Sequence, residues 1–486
     1  MPDTCNSESL QTYVPSNDKP WDKKRVLHLY RRLGYGANFA EINAALASQP
    51  AQHIDEIIND IVASPLSEPL EWADWTILDY TVDGEFDGDL YISHLIQWLF
   101  RVVQNRLGNQ QGNQFRAKLV QFWAGHFVTQ LGVYQKVQPF YKYHRVLESH
   151  ALGNFKDFAV EMGKTPAMLL YLNGAESTSE SANENYAREL FELFTLGQDN
   201  GYNQSDIENA ARALTGWTVE LESNAVFDPN LWDNTSKTIF GQTGNWNFDD
   251  VHNILFEQRS VLIATHICTE IYKHYVAQNV NEDIVAELTQ TFLSNNFELA
   301  PVFRQLFKSE HFFSEDIIAV QIKNPTELIM SIVREFEFSV DLDSFNFIYG
   351  ATEMMGQRMF DPPDVSGWEG HHTWISATNI ILRWDVSFLL LGYNIESNAV
   401  ELINFVKTLT NDSNDPDFIT RTFVDHYILR GLLTEVDYQT AIDVFKGEVP
   451  ENYFEDGTWD LDFEFANVQV LNLFVHLSNL PAYQLN

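Results

Sequence analysis

The stretch N-E-N-Y-A-R-E-L-F-E-L-F-T-L-G, Asn183 to Gly197, sets the reading of this chain. It places six carboxylate, amide or guanidinium side chains within four helical turns. Ser181 and Glu184 have the three-residue spacing of a capping box, so a helix is expected to start near Ala182. Gly197 is a natural stop. At 100° per residue, Glu184, Asn185, Arg188, Glu189 and Glu192 fall within an arc of about 140°. Tyr186, Ala187, Leu190, Phe191, Leu193 and Phe194 fill the opposite side. The period is helical, not strand-like.

Two readings of the arc follow. As a solvated face, it carries Glu184–Arg188 and Arg188–Glu192 pairs worth about 0.2–0.5 kcal/mol each. As the wall of a cleft, it holds carboxylates that push each other's pKa values apart, which makes one an acid and another a base. Glu184, Glu189 and Glu192 are then the catalytic candidates, with Arg188 and Asn185 as binding groups. A metal would need ligands from a second element. His126, in F-W-A-G-H-F, is the best such contributor; its plainer role is a packed histidine beside Trp123 and Phe127.

Downstream, Ser205 and Glu208 have capping-box spacing and open another amphipathic helix. Its Arg212 is either a surface ion pair or an anion clamp beside the carboxylate helix. T-G-W, Thr215 to Trp217, is expected to end that helix and put an indole at the rim.

The same helical period recurs along the chain. R-V-L-H-L-Y-R-R-L-G-Y-G from Arg25 reads as a helix ending at Gly34 or Gly36. Others cover L-Y-I-S-H-L-I-Q-W-L-F-R-V-V, F-R-A-K-L-V-Q-F-W, and the regions 251–275, 283–293, 300–308 and 324–338. The expectation is a mainly α, large multi-helix globular protein with long ordered loops and little strand. The conspicuous loops are 218–250 and 356–374, rich in Gly, Pro, Asn, Asp and Trp. Residues 1–20 read as a polar arm, 21–390 as the helical domain, and 391–486 as an acidic helical region beyond a break at N-D-S-N-D-P-D.

Composition narrows function. Hydrophobic residues make up 45% and aromatic residues 14% of 486 residues, which suits a folded core. Sixty-eight acids against thirty bases leave a net charge of −38, which repels phosphate backbones and argues against nucleic acid. No run of about 18 apolar residues offers a membrane span. Two cysteines, Cys5 and Cys268, exclude a disulfide framework. The N-terminus lacks a basic and an apolar signal region, so the chain as given reads as cytoplasmic. Walker, dinucleotide-binding, zincin and hydrolase-elbow motifs are absent from the sequence.

Several separated motifs together resemble one bacterial family, the "domain of unknown function 1800" family. They are H-L-Y-R-R-L-G-Y-G-A (His28–Ala37), F-W-A-G-H-F (Phe122–Phe127), H-A-L-G-N-F (His150–Phe155), P-A-M-L-L-Y-L-N (Pro166–Asn173), the opening stretch, K-N-P-T-E-L (Lys323–Leu328) and F-D-P-P-D-V-S-G-W-E-G (Phe360–Gly370). The resemblance implies a partner: family members often neighbour a sulfatase-like "domain of unknown function 1501" protein. It also implies export or a cell-surface location as the alternative to the cytoplasm. After T-G-W the family typically carries a His-Asp pair and a Lys. Here Asp233 and Lys237 fit as polar positioners, but Trp232 replaces the histidine, which weakens a catalytic reading.

Two further signals complete the candidate list. Trp368 and Trp374, in and after the Pro362–Pro363 loop, offer flat faces suited to sugar rings or a partner's apolar patch. D-G-E-F-D-G-D places Asp83, Glu85, Asp87 and Asp89 at alternating positions, as in a loop for calcium or another divalent cation. Position 12 is His94, not glutamate, and the acids also suit a helix N-terminus. The functional expectation is a binding or assembly protein acting with a partner in surface or polysaccharide-related processes. The alternative is a carboxylate-based, metal-assisted hydrolase of a glycan or polyol.

Overall fold

The structure, a computed structural model, describes residues 9–108 and 113–486; Cys5 lies outside them. It is mainly helical. The six strands among the described residues pair into three two-stranded hairpins.

Local chemistry accounts for the helix boundaries. Asp22 caps Lys23–Leu33 by accepting from the Arg25 N–H at 3.0 Å, and the helix stops at Gly34. Gly36, with φ +110°, takes the turn that follows. Helices Phe248–Gln258, Ser260–Tyr275, Glu282–Ser294, Leu299–Phe307 and Pro325–Glu335 lie where the apolar period placed them. Asn247, Asn281 and Asn324 cap three of them.

The region read as a loop over 218–250 holds two of the hairpins: Trp217–Glu220 with Asn224–Phe227, and Lys237–Ile239 with Gln242–Gly244. The second turns at Phe240–Gly241, both with positive φ, as a two-residue hairpin turn requires. Strands of three and four residues are too short for a period-2 signal to stand out.

Contacts divide the chain into two compact units. One takes the chain up to His53, then Ser309–Arg358 and Gly370–Asn486. Its core holds a buried Arg31–Glu335 ion pair, with Arg31 Nε 2.8 Å from Glu335 Oε1 and Nη2 donating to the His426 carbonyl at 2.8 Å. Phe336, Tyr427 and Phe474 pack around it. Tyr13, from the stretch read as a polar arm, is buried against Phe313. Helix Ala377–Thr410 runs through position 390, and the break comes at Asn411, with φ +53°.

The second unit comprises Ile54–Lys308 and Met359–Glu369. Its aromatic centre joins Trp123, Phe127, Phe155, Phe158 and Phe194, with Phe127 and Phe158 rings 4.7 Å apart. Burying each such ring contributes about 1.5–3 kcal/mol. The motifs F-W-A-G-H-F and H-A-L-G-N-F are thus largely core, and Phe127 packs on Phe194, just past the end of the carboxylate helix.

Candidate functional site

The carboxylate helix spans Asn185–Glu192 and starts later than the capping box at Ser181 implied. Ser181 instead pairs with Thr178 in an isolated bridge. Glu184 occupies the N-cap position without a side-chain cap, because its carboxylate is drawn to Arg188 and Gln204, each at 2.9 Å. Asn183 Oδ1 accepts from the Asn185 N–H in its place. Tyr186, Ala187, Leu190 and Phe191 are buried as the period required.

The arc is a half-exposed ion network. Arg188 lies between Glu184 and Glu192, 2.9 and 3.2 Å away, and also donates to Gln204. Gln204 in turn donates to Glu208 at 3.2 Å. With Glu184 at 37%, Arg188 at 36% and Glu192 at 20% side-chain exposure, these pairs are solvent-screened and weak. Asn185 is exposed. Glu189 differs. It is only half-exposed, and among the described residues its carboxylate makes no hydrogen bond or ion pair. Burial and the neighbouring Glu192 raise its pKa, with Arg188 opposing. The Tyr171 hydroxyl, pushed up to about 12 by burial, Asp364, Glu189 and Asp361, lies in the same field.

Tyr171 connects this face to the Pro-Pro loop. Its hydroxyl donates to Gln130 Oε1 at 2.9 Å, and Gln130 Nε2 donates to the Pro362 carbonyl at 2.6 Å. Asp361 Oδ1 accepts from the Gly132 N–H at 3.0 Å. A Cβ on Gly367 would meet the Gly125 carbonyl at 2.8 Å, so the loop rests directly on the end of helix Gln114–His126. Trp368 is half-buried, with its indole N–H buried and unpartnered. Trp374 is buried in the short turn His371–Trp374 of the other unit, so it offers no open face.

His126 does not join the carboxylates. Its Nε2–H donates to the Phe194 carbonyl at 3.0 Å, and His266 Nε2–H donates to the Leu193 carbonyl at 3.3 Å. The two imidazoles thereby satisfy carbonyls left open at the C-terminal end of the carboxylate helix. Burial and the adjacent His266 push His126 down to about 4, so it is neutral at pH 7. His266 was missed in the sequence, where V-L-I-A-T-H-I-C reads as plain core.

Helix Gln204–Ala213 is capped by Asn203 with Asp206, two residues ahead of the Ser205–Glu208 box. Asp206 wins because its other oxygen also accepts from the Phe240 N–H at 2.8 Å, tying the helix to the hairpin. Arg212 is not an open anion clamp: its Nε donates to Asp233 at 2.7 Å, and its other nitrogens reach Asn209, Thr235 and the Ser236 carbonyl. Lys237 is buried and donates to the carbonyls of Asp233 and Thr235 and to Asn245. Trp232 covers the Lys237 ammonium, 5.0 Å from ring centre to Nζ. Trp217 opens a strand rather than a rim and packs on Phe227 and Phe248, with Lys164 over its face.

Asp83 and Gly84, both with positive φ, form the turn of the hairpin Thr81–Val82 and Glu85–Phe86. Asp87 caps helix Gly88–Arg106 by accepting from the Leu90 N–H at 2.9 Å, and Asp89 sits in its first turn. His94 bonds Tyr80 and stacks on Trp72. Turn and cap chemistry therefore account for Asp83, Asp87 and Asp89, while Glu85 is an exposed strand residue of the hairpin. Among the described residues no group of three or more His, Cys, Asp and Glu is placed to hold a metal ion.

One constellation escaped sequence reading. His144 and Glu148, one turn apart on helix Val137–Ser149, line a small pocket with Asn105, Arg106, Arg116 and Phe360. Arg145 Nη1 donates to Glu148 Oε2 at 3.0 Å. Only the i,i+4 spacing of His144 and Glu148 hinted at it.

The family model described as "Protein of unknown function (DUF1800)" matches residues 28–485, nearly the whole chain. The chain belongs to that family. No curated protein and no solved structure gives a significant match.

Proposed function

We propose that this member of the family is a binding or assembly protein, and that the polar arc of helix Asn185–Glu192 faces its partner. The observation that carries the reading is Glu189: a half-buried carboxylate with no hydrogen bond or ion pair among the described residues, beside a network in which the one cation, Arg188, is already shared by Glu184 and Glu192. A partner's lysine, arginine or amide N–H would supply the missing donor. The exposed Asn185 and the half-buried Trp368 give amide and indole contacts of the kind enriched at interfaces. Trp232, standing where the resembled members carry histidine, removes a base from the neighbouring loop and favours binding over catalysis. The partner class is the sulfatase-like protein of the "domain of unknown function 1501" family, in surface or polysaccharide-related processes.

A specific observation also favours the second reading, hydrolysis of a glycan or polyol. The raised pKa of Glu189, half-buried beside a second carboxylate, suits a general acid. Titration calorimetry of the purified chain with the sulfatase-like partner separates the two. Binding is expected, weakened about tenfold (about 1.4 kcal/mol) by Glu189→Gln. Absence of an interaction, together with glycan hydrolysis abolished by Glu189→Gln, would overturn the binding reading in favour of the hydrolase.

A further inference from the structure

We infer that the exposed apolar patch of Tyr453, Phe463, Phe465 and Val468 docks a basic amphipathic segment of a partner protein, with the segment's apolar anchors on the rings and its lysines or arginines on the acids around them. The patch belongs to the unit that holds the C-terminal region, not to the unit of the carboxylate helix, and does not rest on the reading of Glu189.

The starting point is a set of apolar side chains that a fixed scaffold holds outward. Phe465 is 54%, Val468 43% and Tyr453 39% exposed. Phe463 joins them: its ring lies 6.1 Å from Tyr453 and 6.4 Å from Phe465. Val468 stands one turn on from Phe465, its N–H donating to the Phe465 carbonyl at 3.0 Å as helix Ala466–Ser478 begins. The connecting segment is pinned. Trp459 is fully buried, and its indole N–H donates to Gln469 at 2.9 Å. The Trp459 N–H donates to the Tyr453 carbonyl at 2.9 Å, and the Phe463 N–H to the Asp460 carbonyl at 3.1 Å. Single exposed apolar residues are ordinary, but contiguous ones on an ordered surface mark interaction sites.

Charge identifies the occupant. From Glu448 to Glu464 the sequence has seven acids and no lysine or arginine, and all seven side chains are exposed. Asp462 and Glu464 flank Phe463, and Glu455 lies two residues after Tyr453. Lys407 takes Asp462 and Lys446 takes Glu451, each at 2.7 Å. Among the described residues no cation pairs with the other five acids. An apolar centre with a polar rim is the anatomy of an interface, and a rim of one sign sets the partner's sign. A second copy would set the same acids against themselves, because a two-fold interface is self-complementary. Nucleic acid and anionic membranes are repelled in the same way. A basic amphipathic helix, with apolar residues three and four apart and lysine or arginine beside them, matches both the rings and the rim. Four side chains suit one such segment rather than a broad domain face.

Fluorescence anisotropy of a labelled peptide titrated with the full chain tests this. The probe is a leucine–lysine peptide patterned as an amphipathic helix. A leucine–glutamate peptide of the same pattern and an all-lysine peptide of the same length are the controls. Saturable one-to-one binding of the leucine–lysine peptide is expected, tighter than that of all-lysine, with none for leucine–glutamate. The double variant Phe465→Ser, Val468→Ser is expected to weaken it about tenfold. Glu464→Lys is expected to weaken it more than Glu287→Lys, which makes the same change in net charge on helix Glu282–Ser294 of the other unit. All four positions are exposed, so the variants keep the fold. Equal affinity in the double variant, or equal losses in the two charge reversals, would mean attraction by net charge alone and overturn the inference. So would no binding of the leucine–lysine peptide. A dimer of the chain that the double variant dissolves, seen by sedimentation, would assign the face to a second copy and overturn it too.

Discussion

Asp233 shows how much one side chain can fasten. One carboxylate oxygen takes Arg212 Nε at 2.7 Å, the other takes the Thr235 N–H at 2.9 Å, and its own N–H donates to Thr215 at 2.8 Å. Burial raises its pKa, but the Thr235 and Arg212 hydrogen bonds prevail and bring it down to about 2. The sign follows from linkage. A depressed carboxylate contributes stability that is full above its unfolded pKa of 3.8 and lost as pH falls through 2. The contribution is about 2 kcal/mol. Asp233→Asn should destabilise the protein by about that much at pH 7, because the amide N–H₂ faces a guanidinium. Urea unfolding at pH 7 and pH 2.5 checks it: the difference between wild type and variant should shrink at the lower pH. The same residue shows the reach of sequence reading. Asp233 and Lys237 were legible as polar positioners, but their partners were not, since Arg212 and Asn245 arrive from elsewhere in the chain and period and spacing carry no tertiary address.

At the scale of the element, the carboxylate helix is positioned from beneath by glycine. Tyr186 lies on Gly163 at the end of helix Phe155–Gly163, so closely that a Cβ there would sit 1.8 Å from Tyr186 Oη and 2.9 Å from Phe248. Neither ring can yield cheaply, as Tyr186 and Phe248 are both buried. Gly163→Ala should therefore cost about 1–3 kcal/mol through overpacking. It should also tilt helix Asn185–Glu192, weakening partner binding without touching any arc residue. Thermal unfolding gives the first effect and calorimetry the second; a variant with unchanged stability would show that the Tyr186 contact is soft. The helix itself, its apolar face and its polar arc were legible because they follow from local period. Its start was not: the Ser181–Glu184 box lost to Arg188 and Gln204, the latter from another helix. Likewise His126 stood out as a candidate ligand or catalytic group, yet the structure packs it beside Trp123 and Phe127 and uses it to bond a backbone carbonyl, a role that no side-chain pattern encodes.

Over the whole molecule, the excess of acids sets the response to salt. Thirty-eight net negative charges repel one another in the folded state more than in the expanded unfolded one. Of these, twelve fall between Leu391 and the C-terminus, where 16 acids meet 4 bases. The opposing term is attraction within ion pairs. Many of these, including Arg188–Glu184, Lys407–Asp462 and Arg421–Glu435, are solvent-screened surface pairs that contribute little. The buried Arg31–Glu335 pair is shielded from ions and should not respond. Repulsion summed over the molecule is therefore the larger salt-sensitive term, and shortening the Debye length from about 30 Å at 0.01 M to about 3 Å at 1 M relieves it. The melting temperature should rise by several degrees between 10 mM and 500 mM NaCl. Differential scanning calorimetry in sodium and in potassium chloride measures this. A rise that is equal in both salts fits screening, whereas a melting temperature that falls with salt would mean that the surface pairs outweigh the net charge.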